Sequence, residues 1–115
     1  MKKATLSVIL LLLISCAEKE PLDQVIDEVI RINGKPSETQ LLPKGVQWRK
    51  FRLTTANAVA QENETKKVID KTLRLTGIST GNGYRWDTPK FKIEFELHLG
   101  RQSEPAKLLL WTTKK

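Results

Sequence analysis

The chain has 115 residues, of which 39% are hydrophobic and 29% charged, with 20 Lys and Arg against 13 Asp and Glu. This length fits one small domain and excludes two, and the composition excludes a fully disordered chain or a protein with several membrane spans. A single cysteine, Cys16, cannot form an internal disulfide. Together with the single histidine, His98, it cannot build a four-ligand structural zinc site.

The first fifteen residues have the pattern of an export signal. Two lysines precede an apolar stretch at 4–14 that only two small polar residues interrupt, which is typical of a signal peptide. Eleven helical residues cover roughly 16 Å, about half the hydrocarbon thickness of a bilayer. We therefore predict a targeting segment over residues 1–15 and not a permanent transmembrane helix.

The end of this stretch, Leu13-Ile14-Ser15-Cys16, resembles the lipobox of bacterial lipoproteins. The resemblance covers residues 1–16 and implies cleavage between Ser15 and Cys16, with an S-diacylglycerol and an N-acyl group on Cys16. Two or three acyl chains would anchor the protein permanently, because one chain alone binds only marginally. Ala17 then implies the periplasmic face of the outer membrane in a Gram-negative source, or the outer face of the cytoplasmic membrane in a Gram-positive one. The alternative is an incidental cysteine after an ordinary secretory signal.

The mature chain is predicted to consist of a lipidated N-terminus and tether at 16–20 and a single domain at 21–115. Residues 17–30 have a side-chain charge balance of −4 and residues 31–115 one of +9. The four residues at 17–20 reach at most about 14 Å. We therefore expect the domain to lie close against the bilayer, with the start of its first helix nearest the head groups.

The first half of this domain is predicted to contain one helix and one strand. Pro21 and an apolar stripe of 3.6-residue period indicate a helix over 21–32 that ends at Asn33-Gly34. Residues 33–45, rich in Gly and Pro, are predicted to be a loop. The segment 47–54 is predicted to be a strand, with a bulge near Lys50 that places Trp48 and Phe51 on one face.

The second half is predicted to contain three further strands. After a connection or short helical turn at 55–65, a strand is expected over about 67–78, followed by a Gly81-Asn82-Gly83 turn. Strict alternation over 91–99 predicts a half-buried antiparallel strand. After a turn at 100–105, the segment 108–111 is apolar on both faces. It is therefore expected to be either a central covered strand or one whose outer face is a contact surface.

These elements predict an α+β domain in which one N-terminal amphipathic helix packs on a four-stranded antiparallel meander. The expected core consists of Leu22, Val25, Ile26, Val29, Ile30, Leu53, Leu73, Leu75 and the odd-numbered residues of 91–99. The order of elements is loosely similar to cystatin-like and NTF2-like envelope domains. The segment from Val25 through Asn33-Gly34-Lys35-Pro36 to Trp48 is also similar to small outer-membrane assembly lipoproteins of the BamE type, although the two-helix start of that family is absent.

No motif indicates a cofactor, and we expect no enzymatic activity. Glu94, Glu96 and His98 alternate on one face of the predicted strand, a row that could hold a metal ion or act as an acid/base pair. The simpler interpretation is a polar sheet face with cross-strand partners such as Arg74. There is no glycine-rich phosphate loop.

Basic and aromatic residues alternate at 48–52 and 84–86, a pattern that can indicate nucleic-acid binding. The export signal argues against it, so no nucleic acid is expected, and the basic surface would instead attract anionic envelope components. The predicted function is a lipid-anchored, non-enzymatic binding or accessory component of an envelope machine for secretion, conjugation, exclusion or outer-membrane assembly, with a protein partner. The alternatives are an envelope lipid or ligand binder and a small hydrolase that uses Glu94, Glu96 and His98. The candidate contact residues are Trp48, Arg49, Lys50, Arg52, Arg74, Arg85, Trp86 and Trp111.

Overall fold

The computed structural model describes residues 19–101 and 104–115. The predicted signal peptide, the lipobox and Cys16 lie outside these residues. The described chain forms two α-helices, a short 3₁₀ turn at Pro43–Gly45 and six strands. In chain order they are α1 (Pro21–Asn33), β1 (Glu38–Leu42), β2 (Val46–Leu53), α2 (Ala58–Leu73), β3 (Ile78–Ser79), β4 (Gly83–Asp87), β5 (Phe91–His98) and β6 (Ala106–Lys114).

Helix α1 is the element that the sequence predicted most closely. Pro21 occupies the first turn, where its missing N–H leaves no helical hydrogen bond unmade. The helix ends where Gly34 adopts a φ of 83° and donates its N–H to the Ile30 carbonyl at 2.7 Å. A residue with a side chain would be strained at that φ. The predicted span of 21–32 is confirmed to within one residue.

Helix α2 contradicts two predictions. Most of the segment expected to be a connection or short helical turn at 55–65, and most of the strand expected over 67–78, form instead one 16-residue helix, Ala58–Leu73. Its buried positions are Ala58, Thr65 and Ile69. The face that this helix packs against the core is therefore small and includes one polar residue. Arg74 caps this helix in a left-handed conformation and is not a strand residue opposite the Glu94 row.

A buried polar link joins the two helices. The Asn33 amide donates to the Thr65 hydroxyl at 3.0 Å and to the Val29 carbonyl at the same distance, and the Thr65 hydroxyl donates to the Gln61 carbonyl at 2.7 Å. Asn33 is 9% exposed and Thr65 is fully buried. Each buried polar group thus has a partner, as burial requires.

The strands form one antiparallel sheet in the order β1-β2-β6-β5-β4-β3. The predicted loop at 33–45 is wrong in part, because β1 pairs with β2 as an edge strand. The predicted bulge near Lys50 is also wrong, since β2 pairs with β6 in unbroken register from Val46 opposite Thr113 to Leu53 opposite Ala106. Trp48 and Phe51 therefore lie on opposite faces of the sheet.

The predicted fold class of one helix on a four-stranded meander is consequently wrong. The described chain has two helices and six strands. The last strand, β6, lies between β2 and β5, whereas in a meander it would lie at an edge of the sheet. The alternation expected over 91–99 is confirmed over Phe91–His98, where Phe91, Ile93 and Phe95 are buried. The glycine turn is confirmed between β3 and β4.

The core lies between the helices and one face of the sheet. Of the predicted core residues, Ile26, Ile30, Leu73 and Leu97 only pack against its margin, and the prediction is wrong for Leu75 and Leu99, which are 41% and 55% exposed. The sequence missed the contribution of Trp86, which is 1% exposed and whose ring centroid lies 5.6 Å from that of Phe95. The buried apolar residues are Leu22, Val25, Val29, Phe51, Leu53, Ala58, Ile69, Trp86, Phe91, Ile93, Phe95, Ala106, Leu108 and Leu110.

Candidate functional site

The face of the sheet turned away from the helices is the candidate site. Along β5 and β6 every second residue is buried under the helices, and the residues between them remain partly exposed because no element of the described chain covers them. We call this surface the open face. It comprises Val46, Trp48, Lys50 and Arg52 on β2, Arg85 on β4, Lys92, Glu94, Glu96 and His98 on β5, and Lys107, Leu109, Trp111 and Thr113 on β6.

Two tryptophans lie side by side near the middle of the open face. Trp48 is directly opposite Trp111 across the β2–β6 pair, which places their Cβ atoms about 4.5–5.5 Å apart. Both side chains are half-buried. Glu94 is opposite Trp111 on the next strand, and Arg85 is opposite Glu94. One transverse row of the sheet therefore presents two large aromatic side chains followed by a carboxylate and a guanidinium.

A shallow depression adjoins Trp111. It has a volume of about 290 Å³ and is lined by Val46, Lys92, Glu94, Glu96, Trp111 and Thr113. The Lys92 ammonium lies 3.3 Å from a Glu94 carboxylate oxygen. The depression thus has an apolar wall and a charged wall, the combination that protein contact surfaces present to a partner.

One corner of the open face is basic. Arg52 lies directly opposite Lys107 across the β2–β6 pair, and Lys107 also faces His98 across the β5–β6 pair. Like charges in directly opposed positions destabilise a sheet, so this arrangement lacks a structural benefit. Lys50, which pairs with Glu38 at 3.2 Å, lines a second depression with Arg52, Lys107 and Glu104.

Of the row formed by Glu94, Glu96 and His98, only Glu96 and His98 contact each other. The His98 Nε2 and a Glu96 carboxylate oxygen are 2.9 Å apart, whereas Glu94 pairs with Lys92 instead. Within residues 19–101 and 104–115, no three His, Cys, Asp or Glu side chains converge as a metal site requires. The predicted cross-strand partner Arg74 lies at the end of α2, and the residue opposite Glu94 is Arg85.

The structure divides the eight predicted contact residues. Trp48, Lys50, Arg52, Arg85 and Trp111 come together on the open face. The other three lie elsewhere, because Trp86 is buried in the core, Arg74 caps α2, and Arg49 points to the helix side of the sheet.

Arg49 occupies an unusual position beneath the helices. Its guanidinium contacts the Thr112 hydroxyl at 3.5 Å and the Gln47 amide oxygen at 2.7 Å. Burial lowers the pKa of Arg49, and the nearby charge of Asp23 opposes the shift. The alternation of a regular β-strand predicts this orientation, whereas the predicted bulge near Lys50 would have turned Arg49 to the other face.

Asp70 is a polar centre that the sequence analysis missed entirely. One carboxylate oxygen accepts hydrogen bonds from the Trp86 indole at 2.9 Å and from the Gly77 amide at 2.8 Å, and the other accepts from Lys66 at 2.5 Å. Burial acts to raise the pKa of Asp70, but these hydrogen bonds together outweigh it and lower the pKa. A Cβ atom at Gly77 would lie 2.6 Å from the Trp86 ring, so this turn is also fitted closely to the indole.

The fold and the open face together define a two-layer α+β domain with helices on one side of an antiparallel sheet and a half-exposed aromatic and charged surface on the other. No helix within the described residues is long and apolar enough to cross a membrane. Comparison with protein-family models gave no match, and searches of curated proteins and of solved structures gave none.

Proposed function

We propose that this protein is a lipid-anchored envelope lipoprotein that acts without catalysis, by binding another envelope protein through the open face. The observation that carries the proposal is the row of Trp48 and Trp111 on a sheet face that the described chain leaves uncovered. Tryptophan is among the residues that contribute most to binding when a partner buries it.

The charges on the open face indicate what kind of partner it would fit. Arg52 and Lys107 oppose each other directly, and an acidic group on a partner would relieve the repulsion between them. We therefore propose a partner surface that combines an apolar patch, for the tryptophans, with carboxylates at the Arg52 corner.

The anchor depends on the resemblance of Leu13-Ile14-Ser15-Cys16 to a lipobox. The test is incorporation of labelled palmitate into the chain in cells, compared with a Cys16→Ser variant. We expect label in the native chain and none in the variant, together with release of the variant from the membrane fraction. Equal labelling, or unchanged membrane association, would refute the anchor.

The binding role is tested by photo-crosslinking in cells from single positions. A photoreactive residue at Leu109 or Thr113 on the open face should give a discrete crosslinked band. The same residue at Val59 or Lys67 on the exposed side of α2 is the matched control and should give none. Trp48→Ala should remove the band without lowering the amount of protein. Equal capture from both layers of the domain would contradict the proposal.

A further inference from the structure

The start of α1 and the ends of three strands meet at one end of the domain. Lys90, just before β5, and Lys114, the last residue of β6, lie with Glu20, Pro21 and Leu22 around a depression of about 310 Å³. The Lys115 amide donates to the Lys90 carbonyl at 2.9 Å. The turn between β1 and β2 reaches the same end, because Val46, which follows it, pairs with Thr113.

This end is rich in lysine. Lys44, in the β1–β2 turn, is exposed, as are Lys90 and Lys114, and no carboxylate within the described residues lies within 4 Å of these three ammonium groups. We call these three residues the lysine end. Three further lysines lie nearby, Lys19, Lys92 and Lys115, and each pairs with a carboxylate, on Asp27, Glu94 and Asp87 respectively. With Glu20 and Asp23 counted as well, six lysines stand against five carboxylates, a balance of +1.

We propose that the lysine end is a membrane-contact surface that binds the anionic lipid head groups of the bilayer holding the anchor. This inference rests on the proposed function, because Cys16 lies only five residues before Pro21. The residues between them span at most about 14 Å, and α1 begins at the lysine end. The lysines are thus within reach of the head groups, and each contributes about 1 kcal/mol near an anionic surface.

The contact also sets the direction of the open face. Strand β2 leads away from the lysine end and β6, antiparallel to it, leads back to it, so a domain standing on this end presents Trp48 and Trp111 sideways, parallel to the membrane plane. A partner that binds the open face would then stand beside this protein on the same membrane.

The single cysteine allows the contact to be tested without natural lipidation. The chain from residue 16 contains every buried residue of the described structure, from Leu22 to Thr112. It can be coupled through the Cys16 thiol to a maleimide lipid in vesicles of phosphatidylcholine, or of phosphatidylcholine with about a third phosphatidylglycerol. The readout is the rate at which each lysine is acetylated, measured by mass spectrometry.

We expect acetylation of Lys44, Lys90 and Lys114 to slow by about fivefold on anionic vesicles relative to neutral ones, which corresponds to about 1 kcal/mol for each lysine. Lys35 and Lys107, at the opposite end, are the matched controls and should react equally on both vesicles. About 1 M salt should abolish the difference, because it shortens the screening length to about 3 Å.

Equal protection at both ends, or none at the lysine end, would overturn this inference. That result would leave the proposed anchor intact, since coupling here is chemical. Conversely, failure of Cys16 to take up palmitate in cells would refute the anchor and would not alter the behaviour of the coupled chain. The two proposals therefore fail by different measurements.

Discussion

The two faces of the sheet are built from the same strands but differ in how deeply their side chains are buried. On the helix side, β5 and β6 carry Phe95 and Leu110, which are fully buried. One residue further along each strand, Glu96 and Trp111 remain partly exposed. Packing against the helices therefore determines which residues the helix side can carry. The open face carries charged and aromatic residues, including pairs of like charge, and these pairs add little to stability. Residues of the open face are thus the ones free to serve a partner.

The largest expected effect contrasts neighbours on one strand. Phe95→Ala should lower the free energy of unfolding by about 3–5 kcal/mol, because it leaves a cavity beneath Tyr84 and Trp86. Glu96→Ala, the next residue, should change it by no more than about 0.5 kcal/mol. Urea titration monitored by circular dichroism measures both values, and similar losses at the two positions would break the contrast between the faces.

The second effect tests Asp70, which ties α2 to β4. Asp70→Ala leaves the buried Trp86 indole without its acceptor and should cost about 1–3 kcal/mol. Asp70→Asn should cost less, because its amide oxygen can still accept from Trp86 and Gly77. If the two variants were equally unstable, the Lys66 pair would be the stabilising contact and the indole bond would not.

The same residue predicts a pH dependence. Since the pKa of Asp70 is lowered in the folded state, its ionised form stabilises the fold above its unfolded pKa of about 3.9. That contribution is lost as pH falls through the lower folded pKa. Urea midpoints measured at descending pH below about 4 should fall more steeply for the native chain than for Asp70→Asn. Parallel curves would show that the carboxylate does not contribute.

A smaller effect is expected at the polar link between the helices. Thr65→Val keeps the side-chain volume but removes the hydroxyl that accepts from Asn33, and it should cost about 0.5–1.5 kcal/mol. Thr72→Val, two turns along the same half-exposed helix, controls for the change in residue type. The difference between their unfolding free energies isolates the buried hydrogen bonds, and a difference of zero would contradict the role assigned to Thr65.

The smallest effect concerns the tryptophans. A double-mutant cycle of Trp48→Ala and Trp111→Ala should give a coupling of about 0.2–1 kcal/mol in unfolding free energy, as expected for a cross-strand aromatic pair. A coupling as large as the cost of Phe95→Ala would mean that the pair belongs to the structural core. The two tryptophans would then be explained by stability, and this result would contradict the proposal that the open face is a binding surface.

Local pattern predicted the elements whose buried positions form a regular apolar stripe. Helix α1 and strand β5 have regular stripes, and both were found within one residue. Helix α2 was missed because a polar residue, Thr65, occupies its central buried position, where its hydroxyl accepts a hydrogen bond from Asn33, 32 residues away. No local period reveals such a partner.

Contacts with residues distant in sequence also explain why the candidate site was predicted only in part. The sequence identified Trp48, Lys50, Arg52 and Arg85 on the open face from alternating basic and aromatic residues, and Trp111 from a segment that is apolar on both faces. It could not exclude Trp86, whose burial depends on α2 and Asp70, nor assign Arg49 to the helix side. The predicted bulge would have placed the rings of Trp48 and Phe51 on one face, but in the unbroken β2–β6 register one aromatic residue lies on each face.

The position of β6 also determines when the domain can form. The pairing that joins its two halves links residues 46–53 to 106–113, and closing so long a loop delays folding. The sheet therefore stays split into the β1–β2 hairpin and the β3–β5 meander until the last strand arrives. Because β6 is the last strand in chain order and lies between β2 and β5, we expect its insertion to be the final step of assembly.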